Sequence, residues 1–282
     1  MLFSLQERSA QNVRYRVDLD DGTAVEAVVY RGDTLCISSQ VGCAVGCPFC
    51  ASGKDGFGRN LTLSELLGQV ELGQGAHPEL RRVTVSGVGE PLHNPHTLPF
   101  LAEVRERGLA LSLTTSGGPL SRLRLWLHAP HRGLTISVHS GTDSVRKRAV
   151  PLGPSLDRLF STLHDELPRL THRRRKKTAL AYLMVEGLND DPRELDAFIE
   201  RAQPLGLRVH LYDYNATGTG HRGVPRSRYE AAYRQLTGAG IYASMSSSAR
   251  REANGGCGTL VASALVGPRL RSNSRSREGL RP

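Results

Sequence analysis

Six times between residues 34 and 237, a short run rich in Val, Leu, Ile and Thr is followed by a longer amphipathic stretch. The short runs lie at 34–39, 83–87, 111–115, 134–138, 179–184 and 208–212. The amphipathic stretches lie at 63–74, 96–107, 120–128, 156–167, 192–203 and 226–237. Apolar runs of this length bounded by Gly, Pro or charge are predicted strands, and the 3.6-residue pattern predicts helices. Thr62 with Glu65 forms a capping-box signature that starts the first helix. Strand–helix–strand repetition implies right-handed crossovers and a parallel sheet. Two architectures satisfy it, an open doubly wound sheet and a full or partial (β/α) barrel. Both gather ligands at the C-terminal ends of the strands. Gly89-Glu90-Pro91, Ser116-Gly117-Gly118, His139-Ser140 and Asn215 fall at those ends. Ahead of the first strand, 13–18 and 24–30 flank the turn signal Asp20-Asp21-Gly22 and predict a small β-ribbon. The expected division is an N-terminal ribbon over 1–32, the α/β body over 33–262 and a tail over 263–282.

The chain holds five cysteines, and four of them fall between Cys36 and Cys50. Cys43, Cys47 and Cys50 follow a CxxxCxxC spacing just after the first strand of the body. Three thiolates on a Gly-bearing loop can bind three corners of a cubane, whereas a fully ligated [4Fe–4S] cluster takes four. The remaining iron is then open to an amino-carboxylate, such as the methionine end of S-adenosylmethionine. An electron passed into that sulfonium would break a C–S bond and release a carbon radical. Structural zinc wants four closed ligands, usually in two pairs, and the spacing fits it poorly. An odd cysteine count also argues against a disulfide scaffold. Phe49, between the last two cysteines, suits a low-dielectric cover.

No apolar run reaches the length of a membrane helix, and the first residues lack a signal-peptide core, so a cytoplasmic protein is expected. The formal net charge is +10. The tail from Gly267 carries five Arg against one Glu, which leaves +6 for the body. A second concentration runs from Arg173 through Lys177. Such a surplus favours a polyanion such as RNA.

The stretch Cys36-Ile37-Ser38-Ser39-Gln40-Val41-Gly42-Cys43 is joined by Gly56-Phe57-x-Arg59-Asn60-Leu61 and Gly87-x-Gly89-Glu90-Pro91-Leu92-x-Asn94. Thr115-Ser116-Gly117, Ile136-Ser137-x-His139 and Cys257-Gly258-x-Leu260 follow. In this order the motifs cover about residues 20 to 262, and the sequence resembles the RlmN/Cfr family of radical S-adenosylmethionine RNA adenine methyltransferases. The resemblance implies a partial (β/α)6 barrel, an α/β fold. It implies a [4Fe–4S] cluster on Cys43, Cys47 and Cys50. It places S-adenosylmethionine on Gly89, Glu90, Thr114, Ser137, His139 and Asn215. Cys257 resembles the family's methyl-carrying cysteine. Cys36 resembles the thiol that resolves the protein–RNA crosslink through a disulfide with Cys257, and Glu26 resembles the proton acceptor. The implied partners are rRNA or tRNA and a flavodoxin- or ferredoxin-type electron donor, with the enzyme a monomer and no membrane association.

Two departures stand out. The family's bacterial members carry an N-terminal accessory domain, and this sequence has twelve residues before the ribbon, so a short form is expected. The family run Arg-Gly-x-Asp-Ile-x-Ala-Ala before the late cysteine reads Ala249-Arg250-Arg251-Glu252-Ala253-Asn254-Gly255-Gly256, an altered charge pattern on what reads as a looser loop. A radical methyl synthase acting on another substrate shares every one of these features except RNA affinity. A metal-stabilised RNA-binding protein would have no use for the pair Cys36 and Cys257.

Overall fold

The computed structural model describes residues 1–252, 254–256 and 258–262. A mixed sheet of ten strands carries the fold. Three antiparallel strands open it: β1 (Leu2–Arg8), β2 (Asn12–Asp18) and β3 (Ala24–Tyr30). β4 (Thr34–Ile37) pairs antiparallel with β3 on one side. A small hairpin of β5 (Gln40–Gly42) and β6 (Phe57–Asn60) follows, and its two strands enclose the cysteine loop. Helix α1 (Leu63–Ala76) starts at Thr62, whose side chain and Glu65 form the expected reciprocal cap.

The chain then alternates. β7 (Arg82–Val85) leads to α2 (Thr97–Glu106), β8 (Ala110–Thr115) to α3 (Leu120–His128), and β9 (Gly133–Ser137) to α4 (Asp143–Ala149) and α5 (Leu156–Glu166). The short α6 (His172–Arg175) precedes β10 (Thr178–Leu183). β10 leads to α7 (Pro192–Ala202), and β11 (Arg208–Tyr212) leads to α8 (Arg226–Gly238) and the short β12 (Ala243–Met245).

The parallel strands lie side by side in chain order, β4-β7-β8-β9-β10-β11-β12. That order settles the choice of architecture. A doubly wound sheet reverses its strand order at a switch point. A sheet that only advances, through crossovers of one hand, keeps its helices on one side and curls over the other. β1 and β12 are its two edges, so the barrel is partial. The buried residues of β7, β8 and β9 show how the strands face the core: in β8, Leu111, Leu113 and Thr115 are buried in alternation with half-buried Ser112 and Thr114. β10 is buried along nearly its whole length, the pattern of a central parallel strand.

The ribbon expected at 1–32 is three strands, and hydrogen bonds between β3 and β4 make it continuous with the parallel sheet. Among the described residues, no helix is long and apolar enough to cross a membrane.

Three histidines in this body are held neutral. Burial, then nearby Arg174 and Lys177, pushes His131 down to about 4. Burial, then Arg250 and Arg208, pushes His210 to about 4, and burial, then Arg146, pushes His139 to about 3. A histidine whose folded pKa is depressed stabilises the fold fully above its unfolded value, near 6.5, and loses that stability as pH falls. Neither ring nitrogen of the fully buried His131 has a hydrogen-bond partner among the described residues. Chemical denaturation at stepwise pH is therefore expected to show stability falling between about pH 6.5 and 4.5, with each buried histidine costing on the order of 2 kcal/mol by the lower value. His131→Phe should flatten that fall; a wild-type slope in the variant would remove His131 as a cause.

Candidate active site

One cavity opens at the C-terminal ends of the parallel strands. Cys36, Cys43, Cys47, Cys50, Gly89, Glu90, Thr114, Ser137, His139 and Asn215 all line it. The sequence motifs therefore converge in space. Glu26 does not line it, and Cys257 lies outside the described residues. The disulfide between Cys36 and Cys257 accordingly rests on the resemblance alone.

The cysteine loop is built by the hairpin at its base. Gly42 and Gly56 face each other so closely that a methyl group on Gly42 would stand 2.0 Å from the Gly56 carbonyl oxygen. Cys43 N–H donates to that carbonyl at 2.9 Å. The Cys43 sulfur accepts from the Val45 and Gly46 amides. Val45, Phe49 and Val150 pack around the three cysteines as an apolar cluster. Burial first, then Glu90 and Cys50, pushes Cys43 up to about 12, and burial first, then the neighbouring thiols, pushes Cys47 well above the ordinary thiol range. Burial thus favours the neutral thiols, and becoming thiolates requires a cationic partner. Three thiols in one apolar recess, with amides aimed at sulfur, suit a [4Fe–4S] cluster held by three cysteines.

Next to this loop the Gly87-x-Gly89-Glu90 turn folds against β4. A methyl group on Gly87 would meet the Ile37 carbonyl at 2.7 Å, and one on Gly89, at φ +106°, would meet Gln40 at 2.6 Å. These glycines allow the turn to place Glu90, which is 4% exposed. Its Oε1 accepts from Thr115 Oγ1 at 2.5 Å and Leu92 N at 3.0 Å, and its Oε2 accepts from Ser116 N at 2.6 Å. His139, with a positive φ of 57°, accepts from Leu183 N at Nδ1 (3.0 Å) and meets Phe49 edge-on. These contacts fix a carboxylate and an imidazole on the wall facing the cysteines, where an ammonium or ribose could be held.

The described residues of a late strap, 247–252, 254–256 and 258–262, border the cavity through Arg250, Gly256, Gly258 and Leu260 and tie to the ribbon. Glu252 accepts from Ser9 Oγ, from Gln11 N (3.2 Å) and from Asn12 Nδ2 (3.0 Å). Tyr30 Oη donates to Gly255 O at 2.8 Å. Glu26 Oε2 pairs with Arg14 at 2.5 Å and accepts from Val261 N at 2.7 Å. On the cluster side, Ala51 N donates to Gly258 O at 2.8 Å and Ser52 Oγ to Leu260 O at 2.8 Å. The loop that reads as loose in the sequence is well anchored. Its glycines serve close approach: a methyl on Gly255 would lie 2.2 Å from Asn12 Nδ2, and one on Gly256 would lie 2.7 Å from Asn215. A methyl on Gly258 would stand 3.9 Å from Cys50 Sγ, so the residue after position 257 is in van der Waals range of the cluster loop.

Cys36, 2% exposed, sits on β4 with its sulfur 3.3 Å from Ser86 Oγ and packs with Val28, Val88 and Leu260. The sequence reading missed Arg250, whose guanidinium lies over the rings of Tyr30 (5.8 Å) and Tyr212 (5.6 Å) at the cavity mouth. No local signal marks it, because its partners come from β3 and β11.

Residues 37–199 match the Radical SAM superfamily model. A probable RNA methyltransferase of Dechloromonas aromatica is 31% identical over 264 residues, spanning 89% of this chain and 71% of that protein. The dual-specificity RNA methyltransferase RlmN of Halorhodospira halophila is 30% identical over 270 residues, spanning 91% and 74%. Among solved structures, a radical SAM methyltransferase from Sphaerobacter thermophilus has the same fold, with a TM-score of 0.82 at 24% identity over 92% of this chain and 80% of that one. The chain belongs to the radical SAM superfamily and, within it, to the RNA methyltransferase family that includes RlmN.

Proposed function

We propose that the protein transfers a methyl-derived carbon to an adenine ring carbon of RNA, with Cys257 as the carrier thiol. The observation that carries this reading is the strap. Gly256 and Gly258, on either side of position 257, line the same cavity as Cys43, Cys47 and Cys50. A bound [4Fe–4S] cluster with S-adenosylmethionine would supply, on reduction, the radical that an inert adenine C–H position demands.

The chain's own residues do the rest. Cys43, Cys47 and Cys50 hold the cluster. Glu90 accepts from the cofactor's ammonium, and Gly89, Thr114, Ser137, His139 and Asn215 shape its bed. Cys257 takes the methyl group, and Cys36 is the resolving thiol on the neighbouring strand. Glu26, held by Arg14 and the Val261 amide, is the proton acceptor that the resemblance implies. A flavodoxin- or ferredoxin-type donor supplies the electron to a monomeric enzyme in a reducing cytoplasm.

Anaerobic incubation of reconstituted protein with S-adenosylmethionine, reductant and total RNA, followed by nucleoside mass spectrometry, tests the reading. The expected product is methyladenosine bearing carbon from the cofactor. Deoxyadenosine formation without modified RNA would favour a methyl synthase for another substrate. Protein holding zinc and no sulfide would defeat the radical reading as a whole.

A further inference from the structure

The end of the barrel opposite the cavity carries a charge pattern that the chemistry above leaves unused. Arg132 stands just before β9, Lys177 just before β10, and Arg208 opens β11. Pairing brings these strand starts together. Arg132 N donates to Leu111 O at 2.7 Å, Leu134 N to Lys177 O at 2.9 Å, and the Arg208 guanidinium to Lys176 O at 2.9 Å. α6 adds Arg173, Arg174 and Arg175 to the same rim, and Arg105 reaches it from the last turn of α2.

These cations face one another. Burial first, then repulsion from Arg132, Arg173 and Arg174, lowers the pKa of Lys177, and burial first, then Arg105 and Arg173, lowers that of Arg174. No carboxylate forms an ion pair with Arg105, Arg132, Arg208 or any residue of the run 173–177 among the described residues. Several surface arginines elsewhere are paired: Arg59 with Glu65, Arg107 with Glu103, Arg201 with Asp157, and Arg226 with Glu230. What sets the rim apart is the grouping of its cations: Arg174 and Arg208 spend their guanidinium hydrogen bonds on the Ala129 and Lys176 carbonyls, and no carboxylate among the described residues neutralises the group. A cluster of like charges destabilises the fold by self-repulsion, and a polyanion relieves it.

We propose that this rim docks RNA phosphates that lie away from the nucleotide in the cavity. The inference rests on the RNA reading above and deepens it. Strands of five or six residues put the rim about 17–20 Å from the cavity mouth. The phosphates it holds then belong to another part of a folded RNA than the target base. The rim makes the substrate a folded RNA, tRNA or an rRNA domain, rather than a short single strand. Its contacts are to backbone charge, so they set register and affinity and read no sequence.

The test compares holoenzyme with the variant Arg173→Gln/Arg175→Gln/Lys176→Gln, three exposed side chains on or beside α6. Binding to bulk tRNA and to bulk ribosomal RNA is measured across a salt series, with heparin as a generic polyanion. The variant is expected to lose roughly two units of the log–log salt slope and to bind folded RNA at least about tenfold more weakly near 150 mM salt. Its iron content and RNA-independent deoxyadenosine release should match wild type. Unchanged RNA slope and affinity would overturn the proposal, as would a loss confined to heparin. If wild-type protein itself binds neither RNA at low salt, the RNA reading fails first; if wild type binds and the variant binds equally, only the rim proposal fails.

Discussion

Cys257→Ala is expected to abolish methylated product, a loss of about a thousandfold or more, while iron and sulfide stay at wild-type levels. The reason lies in the count of thiols at the cluster loop. Cys43, Cys47 and Cys50 share one recess, and the Cys43 sulfur already accepts two backbone amides. A cluster held by three cysteines keeps one iron for the cofactor's amino-carboxylate; a fourth protein thiolate would occupy that position. On the proposed reading Cys257 is a carrier and not a ligand. Cys47→Ala gives the contrast: it should lose cluster and deoxyadenosine formation together. Deoxyadenosine release in the absence of RNA should survive in Cys257→Ala, because the cofactor's bed is built from β7 to β11 and not from the strap. Iron analysis and product assays on the two variants side by side decide the matter. If the iron content of Cys257→Ala drops to that of Cys47→Ala, the carrier role is wrong.

The parts of this fold that read well from sequence are those governed by local patterns. Six-residue strands such as β8, with its alternating Leu111 and Leu113, or the apolar β10 announce themselves as short apolar runs. β12 is three residues, Ala243-Ser244-Met245, too short and too polar to register, and it exists because β11 offers it an open edge. β1 pairs through a bulge between Phe3 and Leu5, which breaks the alternation a strand would otherwise show. At the site, the cysteine spacing and the Gly87-x-Gly89-Glu90 turn are local and were legible. The strap's anchors are not. Glu252 finds Ser9, Gln11 and Asn12 across more than 200 residues of chain, and only the folded sheet brings them together. The glycines at 255 and 256 read as freedom, whereas the contacts show that they are required by crowding.

Arg146 illustrates the same point with a larger expected effect. In the sequence it belongs to the basic triplet Arg146-Lys147-Arg148 of α4 and looks like solvated helix charge. In the structure it is 2% exposed. Its Nη1 donates to the Ser137 and Val138 carbonyls at 2.7 and 2.8 Å, its Nη2 to Ser116 O at 2.6 Å, and its Nε to Pro154 O at 3.2 Å. One guanidinium thus fastens the loops that follow β8 and β9, the loops that carry Ser137 and His139 and the amide that binds Glu90. All four acceptors are neutral, and no carboxylate ion-pairs with Arg146 among the described residues. The opposite charges that reach it, in order of weight, are the Cys47 sulfur when ionised, Glu90 and Asp143. Its charge therefore sits beneath the cluster loop and favours anionic sulfur there. Arg146→Met would strand four carbonyls and remove that charge, at a cost of about 3–5 kcal/mol in stability. Deoxyadenosine formation should fall by at least tenfold in whatever protein remains folded. Arg146→Lys keeps the charge but cannot span three loops, so it should recover cluster retention more than it recovers melting temperature. Melting curves, iron content and deoxyadenosine yield measured on both variants separate the two duties. If Arg146→Met melts and turns over like wild type, this side chain neither fastens the loops nor serves the cluster.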